Sequence, residues 1–249
     1  MQKQTINLSN TSMRAFLDCK QKFKYNYIDK VYTDKSPSNK YLSFGTSIHA
    51  TLAQFNKITD IKHRTLDHLT TLYKKNWVRD GYDSIEEERV FDLRGIDMLT
   101  NYFNNPLDTS KQNYLIEKMI KYPINDQFTL CGKIDKLFVN SNNQIELLDY
   151  KTGKNISPID TLQNAIYLLL SRHILGRYPD MVSFYHLSHN KKISQKITNS
   201  IVEESIEIVS DLYEQVSKET HFPNNKDIYC KENCAHYTTC TKVDTCKLH

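Results

Sequence analysis

The sequence predicts an α/β fold: a mixed sheet with a mainly antiparallel centre, flanking helices, a helical N-terminal part and a cysteine-rich tail. Three observations carry this. The first hundred residues are patterned at helical spacing, the stretch that follows alternates as three strands broken by Asn-rich turns, and four cysteines crowd the last twenty residues. Residues 1–249 read as one domain with a helical part at 1–110, a core at 111–220 and a cysteine-rich tail at 221–249.

The elements follow in order. Ser9 and Ser12 offer capping hydroxyls before a run in which Phe16, Phe23 and Tyr27 share one side. After a polar break at 34–40, a helix is expected to begin near Gly45, because Ile48, Leu52 and Phe55 recur at helical spacing. Amphipathic segments follow at 65–78 and 85–104. Strands are expected at 114–122, 128–139 and 145–151, with turns at Asn125-Asp126 and at 140–143, so an antiparallel meander is the simplest pairing. Pro158 is expected to open the next helix with Ser157 as its cap, and Gly176 to close it. A strand at 181–187 comes next. Ser200 and Glu203 form a capping box for a helix reaching Lys218, and the tail from Phe222 has little regular pattern.

Composition narrows the function classes. The longest apolar run, 165–170, has six residues, far short of the roughly 18 that a membrane span needs. The first ten residues hold no apolar signal region, so a cytoplasmic, reducing compartment is expected. Six Gly and six Pro argue against a disordered or fibrous chain. A net charge of +4 permits nucleic-acid binding without demanding it. Sixteen Tyr and ten Phe fit base stacking as well as a core. Lys20, Lys22, Lys24 and Lys30 alternate with Phe23, Tyr25 and Tyr27, a mixture that suits either a strand-tracking groove or a solvated helix face.

The chemistry gathers on the second and third strands. Asp149 and Lys151 fall on one face of their strand, and Asp135 follows Gly132-Lys133-Ile134 on its neighbour. Paired carboxylates beside a lysine suit a hard divalent cation such as Mg²⁺ or Mn²⁺. The lysine can orient water or meet charge developing on a phosphate. Gln163 and Tyr167, four apart, share a face of the following helix. His49 on the early helix is either a hydrogen-bonded structural residue or a ligand. In a reducing compartment the clustered cysteines point to metal rather than disulfides.

These residues together resemble a RecB-like nuclease of the PD-(D/E)xK superfamily. The matching pieces are Gly-x-x-x-His at 45–49, Gly-x-Ile-Asp at 132–135, Asp-Tyr-Lys-Thr-Gly at 149–153 and Gln-x-x-x-Tyr at 163–167. The resemblance implies an αβββαβ core. It makes His49, Asp135 and Asp149 metal ligands helped by the Tyr150 carbonyl, Lys151 the catalytic lysine, and Gln163 and Tyr167 supports of the site and the DNA strand. Glu117 stands where the family often has an acidic residue and is held as a support; Asp149 stands where Glu is commoner. The tail, Cys230-x3-Cys234-x5-Cys240, is similar to that of the family's iron–sulfur members, such as the CRISPR adaptation and AddB nucleases. There a fourth ligand near the amino terminus, here Cys19, completes a 4Fe–4S cluster. A structural zinc site of Cys230, Cys234, Cys240 and Cys246 stays open beside it. Cys131 is expected to pack as a small apolar side chain.

The implied activity is metal-dependent DNA hydrolysis, as a single-strand or end-directed exonuclease in DNA repair, recombination or CRISPR spacer processing. Helicase or CRISPR adaptation partners are conceivable, and no membrane role is expected. Two alternatives of other classes are a non-catalytic DNA-binding subunit with a nuclease fold and a zinc-tail interaction protein.

Overall fold

Alternating residues on both sides of the two Asn turns build the centre of a six-stranded mixed sheet. The structure, a computed structural model, describes residues 5–31, 39–225, 230 and 234–240. The strands are β1 (Ile6–Leu8), β2 (Ser110–Pro123), β3 (Phe128–Asn140), β4 (Ile145–Lys151), β5 (Met181–His186) and β6 (Lys191–Lys196). The helices are α1 (Asn10–Asp18), α2 (Lys20–Phe23) with a π-helical turn after it, α3 (Lys40–Asn56), α4 (Leu66–Asn76), α5 (Ile85–Asn104), α6 (Thr161–Leu175) and α7 (Asn199–Lys218). No helix among the described residues is long and apolar enough to cross a membrane.

The meander is antiparallel, as the turn chemistry predicts. Asn125 Oδ1 accepts from the Gln127 and Phe128 amides at 2.8 and 3.0 Å, and Asn140 Oδ1 accepts from those of Asn142 and Gln144 at 3.0 and 3.1 Å. Side-chain acceptors of this kind stand in for the backbone where the chain reverses. β4 pairs in parallel with β5, which requires the α6 crossover between them. β3 is the spine: β2 runs along one edge, while β1 and β4 take separate stretches of the other.

Two cores sandwich the sheet. On one face α1, α6 and α7 cover Leu130, Ile134, Leu137, Leu147 and Val182. On the other, α3, α4 and α5 cover Phe138, Leu148, Tyr150 and Tyr185. Leu147 and Leu148 thus face opposite ways, as strand alternation requires. Gly132 lets α6 approach: a Cβ there would lie 2.8 Å from Leu170 Cδ1.

Several expected boundaries shift. α3 starts at Lys40, capped by the Asn39 side chain on the Tyr41 amide at 2.9 Å, which leaves Gly45 inside the helix. α6 starts at Thr161 because Asp160 caps the Gln163 amide at 2.8 Å; the Ser157 carbonyl is instead engaged by His186 at 3.0 Å. Thr198, not Ser200, caps α7. β1 and β6 were not expected: one has three residues and the other, Lys-Lys-Ile-Ser-Gln-Lys, has no apolar run to mark it. Both are edge strands, where short length and lysine discourage pairing with another chain.

Candidate active site

The ladder between β3 and β4 runs from Val139↔Ile145 to Lys136↔Leu148 and stops. The next pair in that register would be Asp135 and Asp149, so the two strands part at the two carboxylates. Beyond that point Tyr150 has no paired residue on β3, and Asp135 Oδ2 accepts from its amide at 2.8 Å. β3 is irregular at the same point. Ile134 packs under α6, whereas Lys136, two residues on, reaches Asn56 on the α3 side. On β2, Glu117 has φ of +50°, a conformation that costs a non-glycine residue energy and is found preferentially at functional sites. Two neighbouring strands therefore break their regularity where their acidic residues meet.

α3 brings His49 to this break. Its Nδ1 donates to Asp135 Oδ1 at 3.0 Å. Ligand atoms of His49, Glu117 and Asp135 all lie within 4.8 Å of one another. Burial pulls the His49 pKa down, but the Asp135 charge, the hydrogen bond between them, and the Asp149 and Glu117 charges together push it up to about 9. Burial raises the Asp135 carboxyl, and His49 opposes that shift.

α6 supplies the opposite support. Asp149 Oδ1 accepts from Gln163 Nε2 at 2.8 Å and from the Tyr167 hydroxyl at 2.7 Å. Asp149 Oδ2 pairs with Lys151 Nζ at 2.8 Å. Lys151 also donates to Gln163 Oε1 at 2.8 Å and stands 4.0 Å from the centre of the Phe184 ring. Burial and the Asp149 charge hold the Tyr167 pKa well above its ordinary value, so it stays a donor. The web fixes both side chains of the Asp-x-Lys pair from one helix turn, which is the use that the Gln163 and Tyr167 spacing allows.

The whole opens on a cavity of about 350 Å³ whose walls include His49, Glu117, Lys133, Asp135, Asp149 and Tyr167. His49, Asp135, Asp149, Lys151, Gln163 and Tyr167, expected to act together, are brought together. The Tyr150 side chain turns away into the core under α3. Glu117 stands with His49 and Asp135 at ligand spacing and is ion-paired to Lys133. Its backbone conformation leaves no mark in the sequence. Lys154 is exposed.

A buried polar cluster lies behind the site. Lys136, 2 % exposed, donates to Asp108 Oδ2 at 2.8 Å, to the Asp108 carbonyl at 2.7 Å and to Asn56 Oδ1 at 3.0 Å. The Tyr150 and Tyr102 hydroxyls donate to the same Asp108 oxygen at 2.5 and 3.2 Å. Lys136 adjoins Asp135 and Tyr150 adjoins Asp149, so this cluster fixes the backbone on which both carboxylates ride.

At the chain ends, Cys19, Cys230, Cys234 and Cys240 line one cavity, together with His236. The tail reaches Cys19 through packing with α1 and α2. Gln21 donates its amide to the Pro223 carbonyl at 3.1 Å, Lys20 pairs with Glu219 at 2.5 Å, and Phe222 stacks on Phe23 at 6.4 Å. Phe23 and Tyr25 are buried there, Tyr25 against His236. That corrects the reading of these two rings as part of a strand-tracking groove: they pack the tail. His236, which no spacing singled out, is buried and donates from Nε2 to Asn26 Oδ1 at 2.6 Å. Cys131 is buried in β3, and Cys246 lies outside the described residues.

The family model described as the PD-(D/E)XK nuclease superfamily matches residues 7–241. A crystal structure of a candidate exonuclease from Eubacterium rectale is similar with a TM-score of 0.54 and 11 % identity, over 93 % of this chain and 88 % of that one. At that identity the likeness is one of fold. A second solved structure, that of SSO0001, aligns with a TM-score of 0.34 and 10 % identity over 94 % of this chain and 93 % of that one, too low to argue from. No curated protein matches the sequence.

Proposed function

The chain belongs to the PD-(D/E)XK nuclease superfamily, and on that premise we propose that it is a divalent-cation-dependent deoxyribonuclease. In this reading it acts on single strands or strand ends as an exonuclease, in DNA repair, recombination or CRISPR spacer processing. The observation that carries the reading is the meeting of His49, Glu117, Asp135 and Asp149 in one open cavity, with Lys151 tied to Asp149.

The donor set suits the cation. One imidazole and one carboxylate oxygen each from Glu117 and Asp135, all within 4.8 Å of one another, are what Mn²⁺ accepts and Mg²⁺ tolerates. His49, Glu117 and Asp135 have that spacing and would hold it, with Asp149 and the Tyr150 carbonyl added as the resemblance implies. Bound there, the cation supplies Lewis-acid polarisation of a phosphate and a lowered water pKa. The chain's own groups do the rest. Lys151 is held rigidly enough by Asp149, Gln163 and the Phe184 ring to set a fixed positive charge beside a phosphate whose charge is growing. Gln163 and Tyr167 keep Asp149 from swinging.

This reading fixes a pH dependence. Cation-free His49 keeps its proton up to about pH 9, and a ligand must give that proton up. Apparent Mn²⁺ affinity should therefore rise by up to tenfold per pH unit toward pH 9. Titration calorimetry at pH 6.5, 7.5 and 8.5, in buffers of different ionisation enthalpy, should also register about one proton released. A flat profile with no release would remove His49 from the ligand set.

The reading itself is tested with end-labelled single- and double-stranded DNA incubated with Mg²⁺, Mn²⁺ or chelator. Stepwise shortening of the single strand is expected with either cation and none with chelator. Cleavage that survives chelation would overturn it.

The cysteine cavity supports a 4Fe–4S cluster on Cys19, Cys230, Cys234 and Cys240 rather than a zinc site within the tail, because Cys19 shares the cavity. Four thiolates from both chain ends would staple them together. Protein purified without oxygen should hold about four irons per chain. Cys19→Ala should lose them and render the tail sensitive to protease. One tightly bound zinc, kept in Cys19→Ala, would establish the tail site instead.

A further inference from the structure

The acidic cavity has an apolar lip. Tyr41 and Leu42, in the first turn of α3, line it beside His49 and Asp135. They expose 58 % and 67 % of their surface, whereas Phe44, Ile48 and Leu52 further along the same helix are buried. The lip is held in place. Asn39 caps the helix, Lys40 pairs with Asp83 at 2.8 Å and Glu87 at 2.5 Å, and the Tyr41 ring stands edge-on to Phe91 at 5.7 Å. One edge of the ring is therefore anchored to α5 while much of the residue faces water. Across the cavity Lys133, its side chain 51 % exposed, is paired to Glu117.

We propose that Tyr41, assisted by Leu42, is a stacking subsite for an unpaired nucleobase, and that Lys133 meets the phosphate of a flanking nucleotide. The inference rests on the nuclease reading and names how that site would select its substrate. A base inside a duplex has both faces covered by its neighbours, so it cannot offer one to a ring at a cavity mouth. An unpaired or terminal base can. Stacking uses a face that every base has, so the subsite favours single strands and ends without reading sequence. Were Glu117 to ligate a cation, Lys133 would lose part of that pairing, and its ammonium would be available to a phosphate oxygen.

The test compares two substrates of equal length and charge: a single strand with all its bases, and one with abasic deoxyribose at the scissile and adjoining positions. The ratio of their kcat/KM values, measured with Mn²⁺, reports what the base contributes. Tyr41→Ala should lower that ratio by roughly 5- to 150-fold, the range for losing one stacked base. Tyr41→Phe should keep the ratio, since the ring and not the hydroxyl does the stacking. Leu93→Ala, an exposed residue of α5 that does not line the cavity, should keep it too. Anisotropy of the same labelled strands in chelator should show the loss as weaker binding of the base-bearing strand alone. If wild type cuts both strands and Tyr41→Ala gives the wild-type ratio, the subsite is wrong and the nuclease reading stands. If wild type cuts neither strand, the nuclease reading fails and this inference with it.

Discussion

Asp149→Ala is expected to lower strand cleavage at least about 100-fold, beyond the loss typical of removing a group that only supports a ligand. The carboxylate has two duties. One oxygen receives Gln163 and Tyr167 and the other receives Lys151. Removing it would take a ligand from a bound cation and leave Lys151 without its counter-charge, held only by Gln163 and the Phe184 ring, beside two unsatisfied donors. Asp149→Asn separates charge from shape: its carbonyl can still accept from Gln163 and Tyr167, but its amide faces Lys151 with no negative charge. It should melt within a few degrees of wild type and cleave no faster than Asp149→Ala. Gel assays with matched thermal melts measure both quantities. An Asp149→Asn protein that cuts at the wild-type rate would move the chemistry elsewhere.

The largest stability effect is expected at Lys136. Burial lowers its pKa and the Asp108 charge is the first to oppose that, so the ammonium depends chiefly on that carboxylate inside the core. Removing one side of a buried ion pair strands the other and typically costs about 3–5 kcal/mol. For a domain of this size that corresponds to a fall in Tm of roughly 6–20 °C. Lys136→Met should show it. Lys136→Met with Asp108→Leu should recover much of the loss, since paired apolar replacement is often neutral. The Tyr150 hydroxyl, which loses its Asp108 acceptor in the double variant, sets the part not recovered. A single variant that melts with wild type would mean that the ion pair contributes nothing to the fold.

Lys136 also marks where the sequence was silent. Nothing in Asp-Lys-Leu-Phe singles it out, and no spacing announces that Asp108, in the loop before β2, waits for it. Glu117 is similar: a carboxylate on a strand is visible, its positive φ is not. What could be read were features with a fixed period or a fixed turn. Asn side chains that close turns set the β2–β3–β4 meander, alternation put Asp149 beside Lys151, and helical spacing put Gln163 above Tyr167. The αL cap at Gly176 is legible for the same reason, because glycine adopts that conformation without a Cβ clash. Helix starts were misjudged where several capping residues compete within a few positions, as at 157–160 and 198–200. The Phe23 and Tyr25 rings were ambiguous because stacking on a base and stacking on a docked tail demand the same residue type.

His49, Glu117, Asp135 and Asp149 are proposed to hold a cation for phosphodiester hydrolysis. Anomalous diffraction from a crystal soaked in Mn²⁺ tests it most directly. A manganese peak is expected in the cavity, within coordinating distance of His49, Asp135 and at least one of Glu117 and Asp149, and is expected to be lost in crystals of Asp135→Asn. Manganese bound elsewhere in a protein that cleaves DNA, with that cavity empty, would contradict it.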